Sequence, residues 1–191
     1  MSSYLTEYIV PTLIQCIVPT IAIIYTIMEN HKLNKVNRVI PFINSDFDRY
    51  INDLRSIYIE LNICYRNTGT LNTDSLFNKI KDDRVIIYQT IKSISMSLEK
   101  IKQNAKKSYN IYNEKIKIIK SYLKKINNCY DTSKYRDYFL DYLKYIIDYC
   151  ATIPVSIYYE VNKIDIKEDN INSIYNEIKK IQNELNEKLG E

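Results

Sequence analysis

The 191-residue chain has few of the residues from which catalytic and metal sites are usually built. It contains one histidine, two glycines and no tryptophan. The single histidine, His31, leaves no Ser-His or Cys-His nucleophile pair and no histidine-containing metal site in the rest of the chain. Two glycines cannot form a glycine-rich phosphate-binding loop. We therefore predict a protein that is not an enzyme and that holds no cofactor and no metal ion.

Cysteine and net charge are also low. The net charge of +4 is too small by itself to indicate a nucleic-acid partner. The adjacent acids Asp82 and Asp83 are predicted to be ordinary solvated charges near a helix start. No C-x-x-C pair occurs, which suits reduced thiols in a cytoplasm. The four cysteines are Cys16, Cys64, Cys129 and Cys150.

One long stretch without a charge, residues 8–28, stands out in this composition. As a helix it would be about 31 Å long, which matches the hydrocarbon thickness of a bilayer. No basic residue precedes it and no small-x-small cleavage site follows it, so it does not read as a signal peptide. We predict a transmembrane helix within a first segment, residues 1–30, with the lipid bilayer as its partner. A buried core helix is the alternative.

Basic residues follow this stretch closely, whereas Glu7 is the charged residue before it. The positive-inside rule then places the amino terminus outside and the long carboxy-terminal part in the cytoplasm. We predict a single-pass protein of the cell membrane whose basic juxtamembrane segment covers residues 31–44. The topology-setting residues are His31, Lys32, Lys35 and Arg38.

Small and polar residues recur along the apolar stretch at steps of three and four. Helices in lipid pack or hydrogen-bond along such seams, because the hydrophobic effect does not drive their association there. We predict that the seam joins copies of the chain into a homo-oligomer or lines a pore. The alternative is a plain anchor whose threonines bond back to their own helix. The seam consists of Thr12, Gln15, Pro19, Ala22 and Thr26.

Residues 45–191 show helical periodicity and no convincing strand, which predicts an all-α cytoplasmic bundle of five or six helices. Ser45 is a good N-cap for a first helix that ends at about Arg66. Its predicted buried face consists of Phe47, Tyr50, Leu54, Tyr58 and Leu61.

A second helix begins at Thr73 or Asp74. Its register slips between Gln103 and Tyr109, which predicts a turn and a third helix. A single helix over 74–127 is the alternative, because no glycine or proline marks a turn. The stripe before the slip is Ile80, Ile87, Ile91, Ile94, Leu98, Ile101 and Ala105.

Thr132 or Ser133 is the predicted N-cap of the next helix. Pro154 is expected to end that helix near Thr152 and to start a short one up to about Lys163. The last helix is predicted over about 169–189. Its stripe is Ile171, Ile174, Ile178, Ile181 and Leu185.

Tyrosines recur along one face of the helix that precedes Pro154, beside a second, mostly aliphatic face. One face is predicted to be core and the other a protein interface, because tyrosine combines contact area with a polar tip. A tyrosine-rich core seam is the alternative. Stacking on nucleic acid is disfavoured, because Asp137, Asp141 and Asp148 would repel phosphate. The candidate interface is Tyr135, Tyr138, Tyr142, Tyr145 and Tyr149.

A basic block between residues 100 and 125 and an acidic tail between residues 160 and 187 complete the charge pattern. We expect helix-to-helix complementarity between them, within one subunit or between neighbours. Most of these charges are expected to be solvated.

In its plan, a membrane helix before a helical bundle, the chain is similar to the membrane-anchored accessory proteins of RNA-targeting CRISPR systems, whose bundle is HEPN-like. The resemblance implies a homo-oligomeric, pore-like membrane effector in antiviral defence. HEPN ribonucleases carry Arg-x4–6-His, but neither Arg66 nor Arg136 is followed by histidine, so RNA cleavage is not implied. The alternatives are a membrane-tethered scaffold that binds a protein partner and a phage spanin, which would place its helices outside.

Overall fold

The computed structural model of the protein describes residues 10–66, 73–127 and 136–189. In those ranges the chain forms six α-helices, one π-helical segment and no strand, which confirms the all-α prediction. It divides into two compact units, Met1–Arg38 and Val39–Glu191. The elements are α1 (Val10–Phe42), the π segment (Ile43–Phe47), α2 (Asp48–Arg66), α3 (Thr73–Ile101), α4 (Lys106–Asn127), α5 (Arg136–Val161) and α6 (Glu168–Leu189).

The first unit is helical throughout its described residues, 10–38. Every residue from 19 to 28 is exposed. Over the part of the chain that the structure describes, no helix has both the length and the apolar composition needed to cross a bilayer. The transmembrane helix is therefore unsupported by the structure and stays a prediction. Residues 8 and 9 and the side chains of 10–18 lie outside the described part.

The second unit is built around α5. This helix contacts α2, α4 and α6, and the consecutive pairs α2 with α3 and α3 with α4 also pack together. A helix with neighbours on several sides must be apolar around most of its circumference. Both predicted faces of α5 are accordingly buried, the aliphatic one at Phe139, Leu143 and Ile146 and the other at Tyr142 and Tyr149.

The buried face of α2 differs from the predicted one at two positions. Tyr50 and Tyr58 are only half-buried. The isoleucines next to them, Ile51 and Ile57, take the buried positions instead. A tyrosine at the margin can keep its hydroxyl in water, whereas an isoleucine gains only from full burial. The other predicted members, Phe47, Leu54 and Leu61, are completely buried.

Ser45 does not begin a helix, because the chain is already helical before it. The π segment, Ile43–Phe47, continues from α1 into α2 without a break. Pro41 precedes this segment and lacks the N–H that would bond the carbonyl of Asn37. Local defects of this kind are where helices change their hydrogen-bond pattern. The predicted N-cap at Ser45 is therefore wrong.

The turn between α3 and α4 confirms the prediction of two helices. It covers residues 102–105 and contains neither glycine nor proline. The N–H groups of Asn104 and Ala105 both donate to the carbonyl of Ile101, at 2.8 and 2.9 Å. The register slip thus marks a change of helix. Two stripes of α4, one residue out of phase with each other, are buried: Tyr112, Ile119 and Ile126 in one, and Tyr109, Ile116 and Leu123 in the other.

Helix α5 runs through Pro154, so the predicted helix end at Thr152 is wrong. The proline itself is buried. The hydroxyl of Tyr112 donates to Thr152 Oγ1 at 2.9 Å and lies 2.7 Å from Ser156 Oγ. Burial of the ring and these contacts from α4 hold the helix together where the proline removes a backbone hydrogen bond.

The carboxyl end of α5 is a Schellman motif. The N–H of Ile164 donates to the carbonyl of Tyr159 at 2.8 Å, and the N–H of Lys163 donates to that of Glu160 at 3.1 Å. Lys163 has a φ of 59°, which is the left-handed position that glycine usually occupies in this motif. The Cβ of a lysine there costs roughly 1–2 kcal/mol.

Replacing Lys163 by glycine should therefore stabilise the second unit by about 1 kcal/mol. Urea unfolding of the full chain, followed by circular dichroism at 222 nm, measures the change. Lys163→Ala is the matched control, because it removes the same charged side chain but keeps the Cβ. An equal gain in both variants would show that strain at Lys163 is not the cause.

Candidate functional site

The predicted seam lies partly within the described side chains. Pro19, Ala22 and Thr26 are exposed on one side of α1. The hydroxyl of Thr26 donates to the carbonyl of Ala22 at 2.8 Å. This is the intrahelical bond expected of a plain anchor. Thr12 and Gln15 belong to α1, but their side chains lie outside the described part.

Apolar side chains surround the seam. The exposed fractions of Ile21, Ile23, Ile24 and Ile27 range from 53% to 61%, and Met28 is 66% exposed. Ten residues make almost three helical turns, so no face of the helix between 19 and 28 is buried. An apolar surface exposed in all directions is unusual for a monomeric protein in water; surfaces of this kind occur at protein and membrane interaction sites.

The residues that are predicted to set the topology follow on the same helix. His31, Lys32 and Arg38 are exposed, and the side chain of Lys35 lies outside the described part. Lys32, Lys35 and Arg38 are three residues apart, so they follow one side of α1. The structure thus brings the basic positions together on one helix, directly after the exposed apolar residues.

The predicted tyrosine interface is only partly at the surface. Tyr142 and Tyr149 are completely buried within the second unit, so a partner cannot reach them. Tyr138 and Tyr145 are half-buried, and Tyr135 lies outside the described residues. The buried pair belongs to a tyrosine-rich core, which was the alternative interpretation.

One end of this tyrosine core joins α4, α5 and α6 by hydrogen bonds. Gln182 Nε2 donates to the hydroxyl of Tyr142 at 2.8 Å. The hydroxyl of Tyr122 donates to the carbonyl of Gln182 at 3.0 Å. The rings of Tyr122 and Tyr142 meet nearly edge to face, with centroids 5.4 Å apart. Gln182, buried and not singled out by the sequence, therefore connects both tyrosines.

The other end of the core is a row of three rings. The centroid of Tyr149 lies 5.3 Å from that of Tyr112 and 5.7 Å from that of Tyr175. Burial raises the pKa of Tyr112 to about 12, against an opposing effect of its hydrogen bonds to Ser156 and Thr152. Tyr112 therefore stays protonated at neutral pH, and it acts as a packing and hydrogen-bonding group.

Helix α4 is capped by a residue from α5. The N–H groups of Lys107 and Ser108 donate to the two carboxylate oxygens of Glu160, at 2.9 and 2.7 Å. A carboxylate at a helix start satisfies unpaired amides and interacts favourably with the helix dipole. Lys107 also approaches Glu168 at 3.6 Å, so one cross-helix ion pair joins the basic block to the acidic tail.

An open depression of about 680 Å³ lies beside this cap. Glu160 and Glu168 face the lysines across it, so the depression carries both signs of charge. The ion pair between Lys107 and Glu168 is half-exposed and contributes little to stability. The residues that line the depression are Lys106, Lys107, Asn110, Ile111, Lys115, Glu160 and Glu168.

Asp83 is not the solvated charge that the sequence predicts. Only 6% of its surface is exposed, and its Oδ2 has no hydrogen-bond partner within the described residues. Burial raises the pKa of the Asp83 carboxyl; Lys79 lowers it, while Glu60 and Asp82 raise it further. Lys79 itself is paired with Glu60 at 2.8 Å. The sequence missed this because Asp83 adjoins the exposed Asp82.

The described residues offer no group of three or more histidine, cysteine or acidic side chains that could hold a metal ion. Burial raises the pKa of the Cys150 thiol to about 12, which keeps it protonated and unreactive. Whether the chain is an enzyme is not decided by these observations, and the absence of activity stays a prediction.

No protein-family model, no curated protein and no solved structure matches the chain. The similarity in plan to the CRISPR accessory proteins therefore stays a prediction.

Replacing Glu160 by alanine should destabilise the second unit by about 1–2 kcal/mol, because two amides of α4 lose their acceptor. Glu160→Gln should cost less, since its amide oxygen still accepts a hydrogen bond but carries no charge. Urea unfolding of the full chain gives both values. Glu187→Ala on the exposed side of α6 is the control, and an equal loss there would remove the capping role.

Asp83 should make stability depend on pH in a definite direction. Its pKa is raised on folding, so its contribution is fully present below the unfolded-state pKa of about 3.9 and is lost as pH rises through the folded-state value. We expect the unfolding free energy of the wild type, relative to Asp83→Asn, to increase as pH is lowered from 7 to 4.

Thermal unfolding of the full chain across this pH range tests the dependence on Asp83. The exposed neighbour provides the control variant, Asp82→Asn, whose difference from the wild type should stay nearly constant. A constant difference for Asp83→Asn, or one of opposite slope, would contradict the assignment.

Proposed function

We propose that the chain is a non-enzymatic, membrane-tethered interaction protein: residues 8–28 anchor it in a bilayer, and the helical bundle is held at the membrane surface to bind a protein partner. The observation that carries the proposal is the exposure of every residue from 19 to 28 in a stretch without a charge. The bundle, in contrast, buries its apolar stripes within itself.

Hydrocarbon is the environment that this exposed surface fits. Removing one isoleucine side chain from water contributes about 1.5–3 kcal/mol. Ile21, Ile23, Ile24 and Ile27 are each more than half exposed within seven residues. The uncharged run extends back to Tyr8, which gives it about the length that a bilayer requires.

A tether is favoured over a pore by Thr26. Its hydroxyl already has an acceptor, the carbonyl of Ala22 in the same helix, and needs neither a neighbouring subunit nor water. A homo-oligomeric, pore-like effector rests on the sequence pattern of the seam, including Thr12 and Gln15. It remains the second hypothesis.

The basic residues after the stretch support an orientation with the bundle in the cytoplasm. His31, Lys32 and Arg38 are exposed, whereas Glu7 is the charged residue before the stretch. Short basic segments are retained on the cytoplasmic side during insertion.

The tether is tested by replacing Ile21 and Ile24 with aspartate. Each replacement should disfavour insertion by about 3 kcal/mol, since isoleucine favours a membrane helix and aspartate opposes it. The measurement is the share of full-length protein that stays with membranes after alkaline carbonate extraction. We expect the wild type in the membrane pellet and the double variant in the supernatant.

The matched control replaces Ile59 and Ile63 with aspartate. These two isoleucines of the bundle are 57% and 54% exposed. Their exposure is similar to that of Ile21 and Ile24, which are 61% and 53% exposed. The control should stay in the pellet. Extraction of the wild type by carbonate would overturn the tether, and equal extraction of both double variants would show that general surface polarity decides the outcome.

A further inference from the structure

The helical turns after Met28 carry basic residues and form a second surface on the first unit. Lys32 and Arg38 are exposed, and no ion pair to either is present among the described residues. Glu29 is the acid nearest to Lys32 in sequence, and Asp46 is the acid nearest to Arg38. With His31 neutral, residues 29–38 carry a net charge of +2.

The helix sets the depth of these charges relative to the apolar stretch. At a rise of about 1.5 Å per residue, Lys32 lies about 6 Å and Arg38 about 15 Å beyond Met28 along α1. The headgroup layer of a bilayer is roughly 5–8 Å thick on each side of the hydrocarbon. Lys32 would therefore sit within the headgroups and Arg38 just above them, within a Debye length of their charge.

We propose that Lys32 and Arg38 bind anionic phospholipid headgroups in the leaflet at the carboxy-terminal end of the apolar stretch. The inference rests on the proposed membrane tether. Charge complementarity identifies the occupant: Lys32 carries positive charge at headgroup depth, Arg38 carries it within a Debye length of the headgroups, and the guanidinium of Arg38 matches the oxygen geometry of a phosphate diester. A zwitterionic headgroup offers the phosphate without net charge, so the surface should select anionic over neutral lipids.

The full-length chain in phosphatidylcholine bilayers allows a direct measurement. Traces of spin-labelled phosphatidylglycerol or phosphatidylcholine report, by their motionally restricted spectrum, how strongly each lipid associates with the protein. A basic residue near an anionic surface contributes about fivefold in affinity. We expect phosphatidylglycerol to be preferred by a factor of this order, and the preference to vanish in about 1 M salt, where the Debye length falls to about 3 Å.

Lys32→Gln with Arg38→Gln should reduce the preference to near unity while phosphatidylcholine remains restricted at the protein. Lys81→Gln with Lys92→Gln, two exposed lysines of α3, is the matched control and should leave the preference unchanged. A wild type that restricts both lipids equally would overturn headgroup selection and leave the tether standing. A wild type that restricts neither would overturn the tether itself.

Two further outcomes would overturn the assignment to these residues or to lipid. Retention of the preference in the Lys32 and Arg38 double variant would place the selectivity elsewhere in the chain. Loss of the preference on adding an excess of soluble glycerophosphoglycerol would identify a site for a free phosphate diester instead of a membrane surface.

Discussion

Helix α5 contacts α2, α4 and α6 at once, which leaves it a narrow solvated stripe that runs from Asp137 through Asp141, Lys144 and Asp148 to Val155 and Tyr158. The rest of its surface has to be filled with apolar or aromatic side chains. On the tyrosine face this brings hydroxyl groups into the core, where an unpaired one costs about 1–3 kcal/mol. The approach of α4 and α6 is therefore set by hydrogen-bonding geometry as well as by packing, because Gln182 of α6 must reach the hydroxyl of Tyr142, and the hydroxyl of Tyr112 on α4 must reach Thr152.

This requirement is not met everywhere. The hydroxyls of Tyr149 and Tyr175 are buried without a hydrogen-bond partner within the described residues, as is Asn113 Oδ1. Lys115 and Lys179 place their ammonium groups 5.3 and 5.1 Å from the centre of the Tyr175 ring, which offsets part of the cost by cation–π attraction. The unpaired hydroxyls of Tyr149 and Tyr175 thus remain a cost to stability that the packing of their rings has to offset.

A structural feature of the bundle could be predicted from the sequence where it depends on neighbouring residues of the same helix, and could not where it depends on another helix. The stripe of α3 was predictable, because Ile87, Ile91, Ile94 and Leu98 follow helical spacing, and all four are buried. The passage of α5 through Pro154 was not, because it depends on Tyr112 from another helix. Which face of α5 is core also could not be assigned, since the tyrosine face and the aliphatic face are both able to pack inside a bundle, and the choice depends on where the neighbouring helices lie.

The candidate functional residues divide in the same way. The uncharged run that includes Pro19 and the basic residues that follow it could be identified from composition alone. The structure places both on one helix. The tyrosine interface required knowing which helix occupies the centre, and burial of Tyr142 and Tyr149 removed half of the described candidates. The burial of Asp83 had no sequence signal, since Asp82 beside it has the same chemistry and lies in water.

The contact between Glu160 and the start of α4 bears on the order in which the bundle folds. Ser108 and Lys107 lie 52 and 53 residues before Glu160 in the chain. The contact therefore raises the contact order of an otherwise local, helical topology. While the chain is being synthesised, α3 and α4 can pair early, and the N–H of Tyr109 already has the carbonyl of Ala105 as its acceptor. The N–H groups of Lys107 and Ser108 gain their carboxylate acceptor only when residue 160 has emerged and α5 has docked. Closure of the bundle thus completes the cap of α4, and we expect the first turn of α4 to fray in a chain that lacks α5.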